Sequence, residues 1–410
     1  MLQELTAGVP SRTNLANRLL TPLVRKIAEY LLRWEPDGTV IVEFPTGHRV
    51  QFGRMKGDEA AFIKLSNYGV LWKSLRRGPI GFAEAFIDGD FEADNLDSLF
   101  HFFLCNRDRL CGAGGSLFRV RVGDRFAHLL RRNSRKGSRR NISDHYDLGN
   151  EFYRLWLDDE MNYSSGIYTS GARSLEMAQD AKINAALEML ELRGGEDILE
   201  IGSGWGAFAR AAARKHEAKV TGLTLSHEQL ALARERASDE GLDGNCIFRL
   251  QDYRDTKNSY DRIVSIEMIE AVGEENWPQY FKTLHDRLEP DGSAVIQSIT
   301  ICSSVFPRYR RKADFIQRYI FPGGMLPTQE IIGEQAERAG LKLETKRTFG
   351  RCYARTLDEW RDRFEAAWPQ IADLGFDERF RRKWLYYLAY CKAGFEDGVI
   401  DVGLYRLRRR

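Results

Sequence analysis

Cysteine is sparse and unpaired in this sequence. The six residues, Cys105, Cys111, Cys246, Cys302, Cys352 and Cys391, form no C-x-x-C pair and hold no metal-ligand spacing with histidine. That excludes a disulfide-stapled scaffold, and reduced thiols with no metal site are expected. No apolar run approaches the roughly 18 residues that a spanning helix needs. The first residues, MLQELTAGVPSRTN, lack the charged start and apolar stretch of a secretory leader, so a cytoplasmic protein is expected. A charge excess is missing too. The net charge is +2, and 43% hydrophobic with 29% charged residues describes an ordinary folded chain, long enough at 410 residues for two domains.

The basic residues are unevenly spread. Residues 131–140, RRNSRKGSRR, hold six basic and no acidic side chains; Arg308, Arg310, Arg311 and Lys312 form a second cluster, and the chain ends Arg406-Leu407-Arg408-Arg409-Arg410. Such clusters suit the phosphates of a membrane surface or a nucleic acid. We read 131–140 as a linker that also touches anionic lipid. No aromatic-basic strand face for bases is found, so no nucleic-acid partner is expected.

What is present is a glycine turn behind an apolar run: Asp197-Ile198-Leu199-Glu200-Ile201-Gly202-Ser203-Gly204-Trp205-Gly206. It reads as a buried parallel strand, a tight turn and the start of a helix over 207–214. The glycines allow close backbone approach to a ligand, and the helix start offers free N–H groups. A dinucleotide site wants G-x-G-x-x-G. The spacing here, G-x-G-x-G after acidic Glu200, resembles motif I of S-adenosylmethionine (SAM) methyltransferases. A strand–helix corner with no ligand would look the same.

The neighbouring sequence is needed to decide. Strands are expected at 219–223, 246–250, 261–266 and 294–299, with a turn at Pro290-Asp291-Gly292 and a last strand at 399–407. Helices are expected at 174–192, 226–240 (Ser226 as N-cap) and 276–288. The alternation predicts an α/β fold with a doubly wound, mostly parallel sheet, whose ligands lie beyond the carboxyl ends of the strands. The glycine turn, Thr224, Asp252 and Glu270 all fall at that edge. Upstream, a helix over 14–34, a hairpin over 38–52 and helical stretches between 71 and 104 suggest a small α+β domain, residues 1–130. The linker 131–140 then precedes a catalytic domain, 141–410. Within it, 141–170 alternates aromatic and polar residues like a lid, and 306–396 is an aromatic-rich helical insertion suited to an apolar tunnel.

Eight segments in order resemble the cyclopropane fatty acid synthase family: HYDLGNEFY (145–153), MNYSSGIY (161–168), LEIGSGWG (199–206), GLTLSHEQ (222–229), LQDYRD (250–255), DRIVSIEMIEAVG (261–273), RYIFPGGMLP (318–327) and YCKAGF (390–395). The likeness is dense over 141–410 and looser before it. It implies the SAM-dependent methyltransferase fold, with Gly202 and Gly204 passing under the methionine portion of SAM and Glu200 among the cofactor contacts. Thr224 and Gln229 would meet the ribose, Asp252 and Tyr253 would border the adenine, and Tyr163 and Ser164 would close from the lid. His145 is expected to orient that lid, and Trp205 to pack beside the turn.

The implied reaction adds the SAM methyl carbon to the double bond of an unsaturated acyl chain of a phospholipid, through a carbocation. Aromatic faces such as Tyr353 would stabilise that cation. A proton lost from the new methyl closes a cyclopropane, and one lost elsewhere gives a methylene or methyl-branched chain. Family members hold bicarbonate as the base with a Cys, a Glu, a His, a Tyr and a second Cys. Glu270, Tyr353 and Cys391 match, whereas Ser165 and Gln297 stand at the first Cys and the His positions. Gln297 can hydrogen-bond an anion but cannot accept a proton at useful pH. Either bicarbonate is held by Glu270, Tyr353 and Gln297, or a protein carboxylate, Glu267, is the base; a capping role for Glu267 is the simpler alternative. A small-molecule O- or N-methyltransferase and a non-catalytic lipid-binding scaffold are the rival readings. The expected partners are unsaturated phospholipid chains, an anionic membrane surface at the inner face of the membrane, a second copy of the chain, and a separate reductase where a methyl branch is completed.

Overall fold

A computed structural model describes residues 4–5, 36–53, 60–107, 148–168 and 171–410. The expected helix over 14–34, the basic linker 131–140, and residues 141–147 with His145 lie outside them. By its contacts the chain divides into two compact units, Met1–Asp124 with Gly375–Asp397, and Arg125–Leu374 with Gly398–Arg410.

The first unit carries a five-stranded sheet in the order β1-β3-β2-β4-β5, from β1 (Glu4–Leu5), β2 (Thr39–Glu43), β3 (Arg49–Phe52), β4 (Ala60–Leu65) and β5 (Phe91–Ala93). The expected hairpin is β2–β3, antiparallel with Val42 opposite Val50. Helices α1 (Gly69–Arg77) and α2 (Pro79–Ile87) break at Gly78, whose φ of +60 leaves the helical range, with Pro79 restarting the chain at a first-turn position. Asn95 caps α3 (Leu96–Cys105) by accepting from the N–H groups of Asp97 and Ser98.

The long helix Glu378–Glu396 belongs to this unit too. Buried Tyr386 packs at 5.0 Å from Phe100 and 5.8 Å from Phe86, and Lys392 pairs with Asp97 at 2.6 Å. The sequence-based boundary is corrected here: 378–396 is not part of the unit built on the glycine turn. Its aromatic spacing reads as an apolar face but does not say which core that face enters.

The second unit is a seven-stranded sheet in the order β11-β12-β10-β9-β6-β7-β8. In chain order its elements are α4 (Asn150–Arg154), α5 (Leu175–Leu190), β6 (Asp197–Ile201), α6 (Ala207–His216), β7 (Lys219–Thr224), α7 (His227–Asp239), β8 (Cys246–Leu250), β9 (Tyr260–Ile266), α8 (Ile269–Val272), α9 (Trp277–Arg287), β10 (Leu288–Ile301), α10 (Phe306–Tyr309), α11 (Phe315–Tyr319), α12 (Gln329–Arg338), β11 (Leu341–Thr348), α13 (Gly350–Ala366), α14 (Trp368–Asp373) and β12 (Ile400–Arg409). Pairings from β8 through to β10 are parallel, and β12 closes antiparallel on β10 with β11 outside it. Ile198, Leu199, Ile263, Val264, Val295 and Ile296 are fully buried, as central strands covered on both faces require. Ser226 caps α7 through the Gln229 N–H, as expected.

Two local expectations fail. Pro290-Asp291-Gly292 is no free turn; β10 runs through it, with a register irregularity between Leu288 and Ser293. The insertion is also not purely helical, since β11 lies inside it. LKLETKRT is mostly exposed beyond its first residue, so it carries little apolar alternation to announce an edge strand.

Candidate active site

One cavity lies at the carboxyl ends of β6, β7 and β9. The glycine turn forms its floor, with Gly202 at φ +83 and Gly204 at φ +52. A Cβ on Gly202 would meet Met268 Cγ at 2.9 Å, so a side chain there is excluded on space as well as conformation. The turn is tied to the lid by Trp205, whose Nε1 donates to Asn150 Oδ1 at 2.7 Å and whose ring sits 5.3 Å from Tyr153.

The described part of the lid wraps over this floor. Asp158 shapes it, accepting from the Asn162 N–H and side-chain amide at 2.8 Å each. Gln179 of α5 donates to the Ser164 carbonyl at 2.7 Å. Tyr163 lines the cavity and packs against Trp156, Trp360 and Phe321. Lys182 of α5, fully buried, donates from Nζ to Ser164 Oγ at 2.9 Å. Burial lowers its pKa, against the opposing pull of Asp158, Glu267 and Glu200. Glu200, the acidic residue of β6, is pushed up to about 8 by burial, and its Oε2 has no protein partner.

Further along the wall, Thr224 Oγ1 donates to Gln229 Oε1 at 2.7 Å, and both residues line the cavity with Tyr253. Tyr253 is pushed up to about 12 by burial. Asp252, expected to border the adenine, is not among the lining residues. It caps the short turn after β8 and binds Arg254 through both carboxylate oxygens, at 2.8 and 2.6 Å, while Gln251 lines the cavity in its stead.

At the far end of the cavity the chain assembles a carboxylate held by three donors. Glu267 follows β9 with φ +50, a left-handed conformation that side chains rarely adopt. Its Oε1 accepts from the Ser165 N–H at 2.9 Å and from Gln297 Nε2 at 2.7 Å; its Oε2 accepts from the Tyr353 hydroxyl at 2.7 Å. Sheet register brings Gln297 there, because it faces Ile266 across β10 and β9. Helix α13 brings Tyr353, and its Thr356 accepts from the Gly166 N–H at 3.1 Å. The Ser165 hydroxyl turns away to the Gly166 carbonyl.

Burial raises the Glu267 pKa, while Ser165, Tyr353 and Gln297 pull it back. Glu270 on α8 accepts from the Ile299 N–H. Burial first, and the Glu267 charge second, push it up to about 8. At that value it holds a proton at neutral pH.

Six expected residues are thus sorted. Ser165, Gln297 and Tyr353 converge on Glu267, Glu270 lies behind it, and Cys391 sits half-buried on Glu378–Glu396, in the other unit. Lys182 was missed, although Ala178, Lys182 and Ala186 recur at i, i+4 on the inward face of α5.

The match to known families is direct. The family model described as mycolic acid cyclopropane synthetase matches residues 133–404. The chain belongs to the cyclopropane fatty acid synthase family. It is 39% identical over 343 residues to the tuberculostearic acid methyltransferase UfaA1 of Mycobacterium tuberculosis, covering 82% of this chain and 80% of that one. It is 36% identical over 346 residues to the cyclopropane-fatty-acyl-phospholipid synthase of Escherichia coli, covering 83% and 86%. The structure of the mycolic acid cyclopropane synthase CmaA1, complexed with SAH and CTAB, superimposes with a TM-score of 0.62 at 31% identity, covering 66% of this chain and 98% of that one.

This family member is a SAM-dependent methyltransferase, and its cofactor is SAM. The cavity fits that cofactor on its own evidence, with glycines that admit close approach, a buried carboxylate with an open oxygen, and polar side chains along one wall. When bound, SAM supplies an electrophilic methyl carbon on a sulfonium. Among the described residues no helix is long and apolar enough to cross a membrane.

Proposed function

We propose that this enzyme adds the SAM methyl carbon to the double bond of an unsaturated phospholipid acyl chain, with Glu267 as the base. The observation that carries the reading is the three-donor hold on Glu267. The family resemblance gives Ser165, Gln297 and Tyr353 as part of a bicarbonate site; here those three groups bind a carboxylate of the protein itself, so a bound bicarbonate is not needed. Met268, Tyr163 and the aromatic rings beside it exclude water from the reacting end.

The alkene π pair forms the new carbon–carbon bond as the methyl–sulfur bond breaks, leaving a cation on the adjacent acyl carbon. A C–H bond of the new methyl then breaks; its electron pair closes the cyclopropane and its proton goes to Glu267. If a hydride first shifts from the methyl-bearing carbon, the same proton loss leaves a methylene on the open chain, which a separate reductase would convert to a methyl branch. The timing of deprotonation thus selects the product, rather than the carbon that loses the proton. The ring is our first reading. The 39% identical tuberculostearic acid methyltransferase supports the branched one.

Mass spectrometry of lipids from a host rich in monounsaturated phospholipids tests both. A gain of one CH2 with no double bond left supports the ring, and the same gain with a double bond retained supports the methylene. No gain in a strain that makes SAM-binding protein overturns the substrate assignment. We place the enzyme in the cytoplasm, at the inner face of the membrane, with the exposed basic residues Arg308, Arg311 and Lys312 toward anionic lipid. Failure to float with anionic vesicles would remove that placement.

A further inference from the structure

Arg210 of α6 is 2% exposed and reaches two carboxylates on different elements. Its Nη2 donates to Glu160 Oε2 and its Nη1 to Glu240 Oε1. Glu240 caps the end of α7, and its other oxygen accepts from Arg214 at 2.8 Å. Glu160 belongs to the lid and lines the cavity. From α7, Arg236 donates to the carbonyls of Asp159 and Glu160 at 2.8 and 3.1 Å and lies 3.8 Å from the Glu160 carboxylate. Among the described residues, every polar contact that 159 and 160 make with another element comes from these two arginines. The stretch they grip is tied within itself. Asp158 accepts from the N–H groups of Glu160 and Asn162 and from the Asn162 amide, and its carbonyl accepts from the Met161 N–H at 2.8 Å. Met161 closes that turn at φ +59. A turn so bound moves as one piece.

The fate of Arg210 when that piece lifts separates a permanent brace from a latch. A buried cation stripped of its one anion is strongly destabilised. Arg210 is spared this, because Glu240 stays with it. Glu160, whose side chain is already 36% exposed, returns to water at small cost. The pair therefore resists opening without forbidding it. We infer that Arg210 and Glu160 form a latch on the rim of the cavity, and that Glu240, by keeping Arg210 paired in either position, sets how readily the latch lets cofactor in and spent cofactor out. Arg236 adds its carbonyl contacts to the same closure. The latch rests on the cofactor cavity and not on the proposed acyl substrate, so either reading stands if the other falls.

Exchange rates test it, because losing a latch and losing a ligand contact leave different traces. A lost ligand contact raises koff, leaves kon nearly unchanged and weakens affinity. A loosened latch, closing on the empty and the filled cavity alike, raises both rates and leaves affinity where it was. S-adenosylhomocysteine binding to the full-length protein is followed by surface plasmon resonance. Glu160→Gln is expected to raise kon and koff together by about 10-fold, with Kd within about threefold of the parent. Glu240→Gln is expected to act in the opposite sense. With Glu160 left as the anion on which Arg210 depends, both rates should fall about 3- to 10-fold. A higher koff with unchanged kon in Glu160→Gln makes Glu160 a ligand contact and overturns the latch, as do unchanged rates in that variant. Rates that move in the same direction in both variants overturn it too. Should Glu240→Gln fail to fold, Arg236→Met takes its place: it loosens the same closure from α7 and must raise both rates, and a change in koff alone, or none, overturns the inference.

Discussion

Glu200 and Glu267 invite comparison. Both are buried carboxylates lining one cavity, and both sit at the carboxyl ends of neighbouring strands, since β6 and β9 are paired. Their surroundings differ in what is left over. Glu267 has three donors on its two oxygens, one of them a backbone N–H, so its position is set before any ligand arrives. Glu200 has an oxygen with nothing on it. A carboxylate held by three donors is fixed in place and drawn back toward its charged form, as a base must be, whereas one left short has room for a ligand. Burial alone does not distinguish the two roles; hydrogen-bond accounting does.

The sharpest way to break this division is Glu267→Gln. An amide fits the same space but cannot take a proton, so turnover should fall about 10²- to 10⁴-fold. S-adenosylhomocysteine affinity should stay within about threefold by calorimetry, and a matching fall in affinity would end the separation of roles.

Tyr353→Phe is milder. It removes a charge-assisted bond, and turnover should drop about tenfold. Tyr353 lowers the Glu267 pKa, and a base works only when deprotonated. Its loss should therefore move the acidic limb of the rate profile to higher pH. An unmoved limb would detach Tyr353 from the base.

Glu270→Gln sharpens the comparison through stability. Folding raises the Glu270 pKa from 4.5 to about 8. Between those values the folded state binds the extra proton, so raising the pH through that window destabilises the protein. The variant should lose less melting temperature than the parent over that range, and parallel curves would contradict the shift. Asp252→Asn should do least to the site. Both of its oxygens are paired with Arg254 and it is not among the cavity-lining residues, so cofactor affinity should change by less than about twofold, and a larger loss would return Asp252 to the cofactor.

Much of the fold is legible from the residues. The run Ile198–Ile201, the glycine turn and the alternation of strands with helices through 299 carry the parallel half of the sheet, because both-face burial writes a continuous apolar string. The antiparallel edge is harder. β11 is polar and exposed, and β10 threads a Pro-Asp-Gly that normally marks a turn. Helix Glu378–Glu396 shows its apolar face but not its partner, because identical aromatic spacing serves either core. In the site, residue type and order locate the cofactor wall. The grip on Glu267 depends on sheet register and on a helix more than eighty residues downstream, which local pattern does not encode. Lys182 is readable from helical spacing, but a lysine on an apolar face runs against the usual composition of such faces.

The backbone of Glu267 has one more implication. Its φ of +50 is a geometry that costs a side-chain-bearing residue about 1–2 kcal/mol and glycine almost nothing. Glycine would relieve that backbone, yet it would strand the Ser165 N–H, the Gln297 amide and the Tyr353 hydroxyl without their acceptor, a loss that outweighs the relief. The same three donors would then face an emptied niche, and supplying bicarbonate from outside to Glu267→Gly would be the way to learn whether that niche takes a free anion.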